Sequence, residues 1–497
     1  MRCGGGLGEA GRVEGRDFRL DTWWGDDSME RFDSLVAEML RSRPDLIVTQ
    51  GPVVFAVQRS RTPLPILFAY SGDPVEAGLV DSLPRPGRNL SGISMLSLEL
   101  VGKRMQTLAD AIPGLRRLAL SREDQQVRDL FVGWAREAGC AVEIDPVGNI
   151  FARRPGTDAN LPPVAIGSHL DTQICGGRYD GVLGVMCGLE AMRTLNDRGI
   201  QTRRPIELIM WTNEEGARFS PPLMGSLAFA GKLPIAQAHD TKDDAGLRFG
   251  DELELIGYAG KAPLGNRPLD CYLELHIEQA PHLDREGCDI GIVVGGYKTL
   301  ALRVDIQGET SHSGGTPMLE RRNALVGAGY LIAAVNDIGL AYAAEQGRTT
   351  TPRIECFPNL PGIIPEHVRL IVDFRHPDPA GFERMHAEIN AAVTAVEAKA
   401  RVSITVTEGW SWGTSLFAPE CIALLKDTAA ELGLPYREML SQAGHDAYAV
   451  ADLTPTVMIF TPCRDGISHN TNEAIDLART LPGANLLLNA ALRRANR

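Results

Sequence analysis

The sequence predicts an α/β protein in three parts: a main α/β domain carried by two segments, an α+β two-layer domain inserted between them, and a partial parallel α/β lobe in front. Three observations predict this. Residues 119–297 and 417–497 alternate short apolar runs with stretches of helical periodicity. Residues 298–416 read strand-helix-strand-helix-strand, the order of a two-layer sandwich. Residues 1–118 carry a strand-helix alternation of their own, and the character changes near Leu118.

At 497 residues the chain exceeds what one core supports. Its 44% hydrophobic and 23% charged residues are those of a globular protein. A net charge of −13 gives no electrostatic reason to expect nucleic acid or an anionic membrane. Nine scattered cysteines without a CxxC pair predict reduced thiols and a cytoplasmic location. The opening MRCGGGLGEAGRVEG lacks the apolar core of a signal peptide, and no apolar run is expected to span a bilayer.

In the first part, Met29 to Arg41 reads as a helix, and Leu46-Ile47-Val48 and Ile66-Leu67-Phe68 as strands. Gly72-Asp73-Pro74, Arg85-Pro86-Gly87 and Asn89-Leu90-Ser91-Gly92 read as loops. The runs VEGRDFRL, PDLIVTQG, PILFAYSGDPVEAGLV, RPGRNLSG and GKRMQTLADAIPGLRRLAL resemble the first lobe of substrate-binding proteins of ABC transporters. A binding cleft needs two lobes. Only part of one is present, so the expected role of 1–118 is structural.

From Ser121 a capping-box-like start, Ser-Arg-Glu-Asp, opens a helix with Val127, Leu130, Phe131 and Trp134 on one face. Ala141 to Ile144 and Asn149 to Ala152 read as strands. Pro163 to Ile166 is an apolar strand that breaks into Gly167-Ser168 and delivers His169 and Asp171, with Asp180 following a Gly176-Gly177 turn. A helix from Val182 to Arg198 buries Val185, Leu189, Met192 and Leu195. Pro205 to Trp211 is a strand leading into Glu214-Glu215. Cys271 to Leu275 leads into His276 and Gln279, and Thr456 to Phe460 precedes His469. Two acids and three histidines thus stand at or beyond the ends of four apolar strands, where ligands of open α/β sheets gather.

In the inserted part, Leu300 to Ile306, Val368 to Phe374 and Val402 to Thr407 read as strands, and Arg321 to Val335 and Pro379 to Ala398 as helices. The chain then returns with a helix near Glu420 to Leu432. Imidazole and carboxylate ligands suit zinc, manganese, cobalt or nickel. A pair of such ions needs a bridging carboxylate, terminal ligands and a base, and the candidates match that set in number and type.

The motifs GSHLDTQICGGRYDG, TNEEGARFSPPLMGS, ELHIEQAPHL, SHSGGTPMLERRNAL, VDFRHPD, AGHDA and DGISHN make residues 118–497 resemble the hydantoinase/carbamoylase family of dinuclear metal amidohydrolases. That family includes N-carbamoyl-L-amino-acid hydrolase, β-ureidopropionase and allantoate amidohydrolase. The resemblance implies a zinc-exopeptidase-like α/β/α catalytic domain with a lid or dimerisation insert, two divalent metal ions and a homodimer. It also implies hydrolysis of a small carbamoyl or ureido substrate, with the amino acid, carbon dioxide and ammonia as products of carbamoyl cleavage. Allantoate, or a weakened fusion protein or binding remnant, are the alternatives. Carried over by residue, His169 and His276 would bind one ion, Glu215 and His469 the other, and Asp180 would bridge. Asp171 would orient His169, Glu214 would be the general base, and His312 would stabilise the oxyanion in the partner subunit's site. Arg375 would clamp the substrate carboxylate and Gln279 would contact substrate. The family's lid asparagine is replaced at Gly362, a small glycine by Gln442, and the glycine after HIEQ by Ala280. His445 and Asp446 are retained, and the family's leading helix is missing.

Overall fold

The computed structural model describes residues 13, 15–23, 31–50, 53–70, 74, 77–81, 86–87, 89–94, 116–265, 267–413 and 416–497. They belong to two compact units, Met1–Ser97 and Leu98–Arg497.

The first unit is a three-stranded parallel sheet in the order β1 (Ile47–Gln50), β2 (Ile66–Tyr70), β3 (Leu90–Ser94). Helices Phe32–Arg41 and Val53–Arg59 bury Phe32, Val36, Val54 and Val57 against Ile47, Ile66, Phe68 and Leu90. The expected loop at Asn89–Gly92 is a correction, because Leu90 opens β3 and pairs with Ile66. The short polar run NLSG hides the start of a strand, anchored by the buried Leu90. Met29 and the segment 102–115 lie outside the described residues.

The second unit begins with helix Arg122–Glu137. The Ser121 hydroxyl accepts from Asp124 N, and the Asp124 carboxylate accepts from Leu120 N rather than from the cap itself. In chain order the strands are β4 (Ala141–Ile144), β5 (Ile150–Arg154), β6 (Val164–His169), β7 (Ile206–Trp211), β8 (Cys271–Ile277) and β9 (Gly291–Gly296). Then come β10 (Lys298–Gln307), β11 (Ser311–His312), β12 (Arg348–Phe357), β13 (Ile363–Ile364), β14 (His367–His376) and β15 (Ser403–Trp412). The last two are β16 (Arg437–Ser441) and β17 (Thr456–Thr461). Eight of them form one sheet in the order β16-β9-β17-β8-β6-β7-β5-β4. Its four central members, β17, β8, β6 and β7, are parallel. Every residue of those four strands is buried, which is why they read as continuous apolar runs. Helices Val182–Asp197 and Leu477–Ala495 pack against them, and Trp211, Tyr272, Phe229 and Tyr448 share a further cluster.

The insert forms an antiparallel sheet, β12-β14-β10-β15, with helices Ala324–Ala341 and Pro379–Ala400 packed on it through Ala328, Leu331, Val335, Met385 and Ile389. Two readings need correction here. The sheet has a fourth strand, β12, which was not expected. It is a largely exposed edge strand, and RTTTPRIECF has neither apolar alternation nor freedom from proline. Helix Ala324–Ala341 is also long and apolar enough, by length and composition, to cross a membrane. It starts at Asn323, whose side chain accepts from Leu325 N and Val326 N, and lays Ala324, Ala328, Leu331 and Val335 on the sheet. A core helix passes the same test.

Candidate metal centre

Each central parallel strand leads into a polar residue near or beyond the same end of the sheet. His169 is the last residue of β6, directly opposite Trp211 of β7. Glu214 and Glu215 follow Trp211 by a turn in which Asn213 takes a left-handed φ of 55°. His276 lies inside β8, opposite Phe460 of β17, so that strand runs two residues further than its apolar pattern suggests. His469 sits in the loop beyond β17 with φ 52°, and Gln279 beyond β8 with φ 58°. Such strained non-glycine conformations gather at sites whose surroundings over-determine them.

Asp180 is the centre of the arrangement. Its Oδ1 lies 3.1 Å from His276 Nε2 and 3.7 Å from His169 Nε2. Its Oδ2 lies 3.3 Å from His469 Nε2, which is itself 3.2 Å from Glu215 Oε2. Two groups therefore have metal-ligand spacing around one carboxylate: His169, Asp180 and His276, and Asp180, Glu215 and His469. Glu214 Oε2 stands 3.5 Å from His169 Nε2. Asp180, His169, His276 and Glu214 are buried, the side chain of Glu215 is nearly covered, and His469 is half-exposed at the mouth.

The backbone sets the imidazole tautomers. His169 Nδ1 is 3.0 Å from the Asp171 carbonyl and His276 Nδ1 is 2.9 Å from the Ile277 carbonyl. Each Nδ1 must donate, so each Nε2 offers a lone pair towards Asp180. A lone pair and a carboxylate oxygen cannot face one another at 3.1 Å without a proton or a cation between them. The acids tell the same story. Burial, then the carboxylates of Asp446, Glu215, Asp171 and Asp180, hold Glu214 well above the usual range. Burial, then Asp180, pushes Glu215 up to about 8. Burial opposes ionisation of Asp180, yet its bonds to His276 and His469 hold it well below the usual range. His276 and His469 rise to about 9 against their burial, through Asp180, while burial takes His169 down to about 4. Glu215 Oε1, buried and without a hydrogen-bond partner, is a further free donor atom for a cation. The donor set fits divalent metal ions.

The model of peptidase family M20/M25/M40 matches residues 165–493. An N-carbamoyl-L-amino-acid amidohydrolase of Rhizobium meliloti is 39% identical over 383 residues, covering 77% of this chain and 92% of that protein. The chain belongs to this family. A crystal structure of a hydantoinase/carbamoylase family amidase from Burkholderia vietnamiensis is 42% identical, with a TM-score of 0.77, and covers 80% of this chain and 97% of that one. A ureidoglycolate hydrolase of Arabidopsis thaliana is 31% identical over 464 residues, covering 90% of this chain and 95% of that protein. The chain is thus an amidohydrolase of the hydantoinase/carbamoylase kind, in a metal-dependent family. Residues 5–128 match the model of ABC transporter substrate binding proteins.

The other expected site residues are placed as follows. The carboxylate of Asp171 is 3.8 Å from His169 Nδ1, farther than its own carbonyl, and it accepts instead from Glu214 N and Glu215 N, both at 3.2 Å. Gln279 Nε2 donates to Asp180 Oδ2 at 2.7 Å, and its Oε1 is buried without a partner. Arg375 donates from Nε and Nη2 to Asp373 and from Nη1 to the Gln442 carbonyl. His312 is exposed in the insert, away from these contacts, and its Nδ1 accepts from Gly314 N and Gly315 N. Gly362 has φ 84°, with nothing within 4 Å of where a Cβ would lie. His445 is buried, 4.6 Å from His276 between ring centroids, with Nε2 3.1 Å from Ser441 Oγ. Ala280 is buried, as is Asp446.

Sequence reasoning missed several residues. Arg117 is buried, donates from Nε to the Leu170 carbonyl and pairs its backbone with Thr172. Gln173 donates to Glu215 Oε2 at 2.9 Å. Glu473 and Ser468 stand beneath Asp180. Only Ser468 and Glu473 carried a signal, lying within four residues of His469.

Proposed function

We propose that this chain hydrolyses the N-carbamoyl group of an amino acid, giving the amino acid, carbon dioxide and ammonia. The observation that carries this is Asp180, which turns Oδ1 to one imidazole pair and Oδ2 to His469 beside Glu215, with Glu214 alongside. His169 and His276 would hold one divalent ion, Glu215 and His469 a second, and Asp180 both. When bound, the ions supply Lewis acidity to the scissile carbonyl and to water. Asp171 fixes the Glu214-Glu215 turn through its two N–H bonds. Glu214 Oε2 takes a proton from the attacking water and returns it to the departing nitrogen, a task suited to a carboxyl of raised pKa.

Arg375 would bind the substrate carboxylate. Of its five N–H groups, Asp373 and Gln442 use three, and one on each of Nη1 and Nη2 is left for a bidentate contact. Gln279 Oε1 is an acceptor for a ureido N–H. With His312 Nδ1 accepting two N–H bonds, Nε2 carries its proton and is a donor for an oxyanion, offered to the site of a partner subunit. A homodimer through the insert is supported by the apolar outer side of helix Ala324–Ala341, where Leu325, Val326, Tyr330 and Leu340 are exposed. A cytoplasmic setting fits the free cysteines.

A ureido-acid substrate is the second reading, favoured by the ureidoglycolate hydrolase relative that spans 90% of the chain. One purification tests both. Metal per chain is measured, with ammonia release from N-carbamoyl amino acids and from allantoate, beside Glu214→Gln. Two ions per chain and loss of turnover in the variant are expected. Metal content near zero, or equal rates, would overturn the proposal, and preference for allantoate would select the second reading.

A further inference from the structure

Glu473 is almost wholly buried, yet it ligates nothing in either candidate group. Its Oε1 accepts from Tyr179 N at 2.7 Å and Asp180 N at 3.2 Å, the two backbone groups that present the Asp180 side chain. Its Oε2 lies 3.2 Å from Ser468 Oγ, which also reaches Asp180 Oδ2 at 2.7 Å. Glu473 N donates to the Asn470 carbonyl and so closes the turn that carries His469. One carboxylate therefore joins the loop of Asp180 to the loop of His469, across nearly 300 residues of chain.

The loop opposite is cut to receive it. A Cβ on Gly177 would meet Glu473 Cδ at 1.8 Å and both its oxygens at 2.0 Å. The chain has given up a side chain at 177 to let this carboxylate lie against the 176–181 backbone. A buried acid with no cation in contact is costly unless it is hydrogen-bonded, and here the bonds go to the one segment whose placement sets the bridge.

We propose that Glu473 is a positioning residue of the metal centre, which fixes Asp180 and His469 relative to each other so that both ion sites form together. The proposal rests on the two-ion reading above. Three features follow. The required function is that of an acceptor oxygen at Oε1, so glutamine can replace glutamate. Alanine cannot. Any group at 177 that displaces the carboxylate should act like its removal.

The test is titration of chelator-stripped protein with zinc alone, followed by calorimetry, for wild type, Glu473→Gln, Glu473→Ala, Gly177→Ala and the Gly177→Ala/Glu473→Ala double variant. Expected are two zinc ions in wild type, affinity within about threefold in Glu473→Gln, and weakening of both sites by about 10–100-fold in Glu473→Ala, the usual effect of losing a partner behind a ligand. Gly177→Ala should weaken zinc at least about tenfold, and the double variant should be no weaker than the weaker single, because the two changes remove one contact. Urea unfolding of the zinc-free proteins runs alongside. A merely structural Glu473 would lower zinc-free stability and leave the zinc affinity of the folded protein unchanged, and that result overturns the proposal. Glutamine as damaging as alanine, or additive losses in the double variant, would also overturn it. If Glu473→Ala does not fold, Gly177→Ala and Glu473→Gln decide it alone. Absence of zinc binding in wild type would instead overturn the two-ion reading, and the proposal with it.

Discussion

Replacing Gly181 by alanine separates the cost of backbone strain from the cost of crowding a ligand. Gly181 precedes helix Val182–Asp197 with φ 68°, a conformation that L residues avoid. A Cβ there would lie 2.4 Å from Cε1 and Nε2 of His169 and 2.5 Å from Cδ2. The left-handed backbone costs about 1–2 kcal/mol for a residue with a Cβ. The imidazole must also retreat by about 1 Å to reach ordinary contact, and overpacking of this kind costs about 1–3 kcal/mol more. Gly139 supplies the control. It has φ 77° and nothing within 4 Å of its would-be Cβ, so Gly139→Ala carries the backbone cost alone. Gly181→Ala should lose about 2–5 kcal/mol in denaturant unfolding against about 1–2 for Gly139→Ala. Displacing a reacting group by 1 Å costs about 100-fold in rate. The assay is kcat/KM for ammonia release, with zinc content of each protein. Gly139→Ala should keep wild-type turnover, and Gly181→Ala should fall about 100-fold with less zinc bound. Equal turnover in the two variants would refute the idea that the space at Gly181 is held for His169.

Chelation should lower the stability of the whole second unit, by about 3 kcal/mol where free metal had stood a hundredfold above its dissociation constant, read as an earlier urea midpoint that returns on adding zinc. Arg375→Ala should raise KM for substrates with a carboxylate far more than it lowers kcat, whereas Arg375→Lys should recover little because a lysine cannot make the bidentate contact; steady-state kinetics decide it. His312→Ala should cut kcat about 10²–10³-fold, and mixing it with Glu214→Gln should restore some activity through hybrid dimers, measured against each protein alone. Leu340→Glu should shift the chain towards monomer in sedimentation, because it places a charge on the exposed apolar side of helix Ala324–Ala341.

The sequence showed the main sheet best where burial is most complete. Strands β6, β7, β8 and β17 are buried on both faces, so their apolar runs stand out, and the polar residues near or beyond their ends stand out with them. Strand β12 was invisible for the opposite reason: as an exposed edge it needs no apolar face. β3 hid in a run that looks like a turn. Arg117 could not be read at all, because it is defined by contacts with backbone groups far along the chain, and only the nearness of His469 pointed to Glu473, whose backbone partners are equally distant. The role of the Asp171 carboxylate was equally hidden, since its partners are two peptide N–H groups and not a side chain. Patterns of residue type report burial; they are silent about which backbone amide a carboxylate will meet.

The strand order has a consequence for how the protein is made. β17 lies between β9 and β8, in the middle of the sheet, although it is the last strand along the chain. Until the ribosome has passed Thr461, β8 has an open edge with both faces apolar, and β9 has no neighbour on that side. An unfinished chain therefore presents a sticky, half-built sheet for as long as the insert is being synthesised, which is where chaperones or misassembly would act. His469 emerges only after that strand, so the emerging protein is without its complete ligand set until the sheet can close.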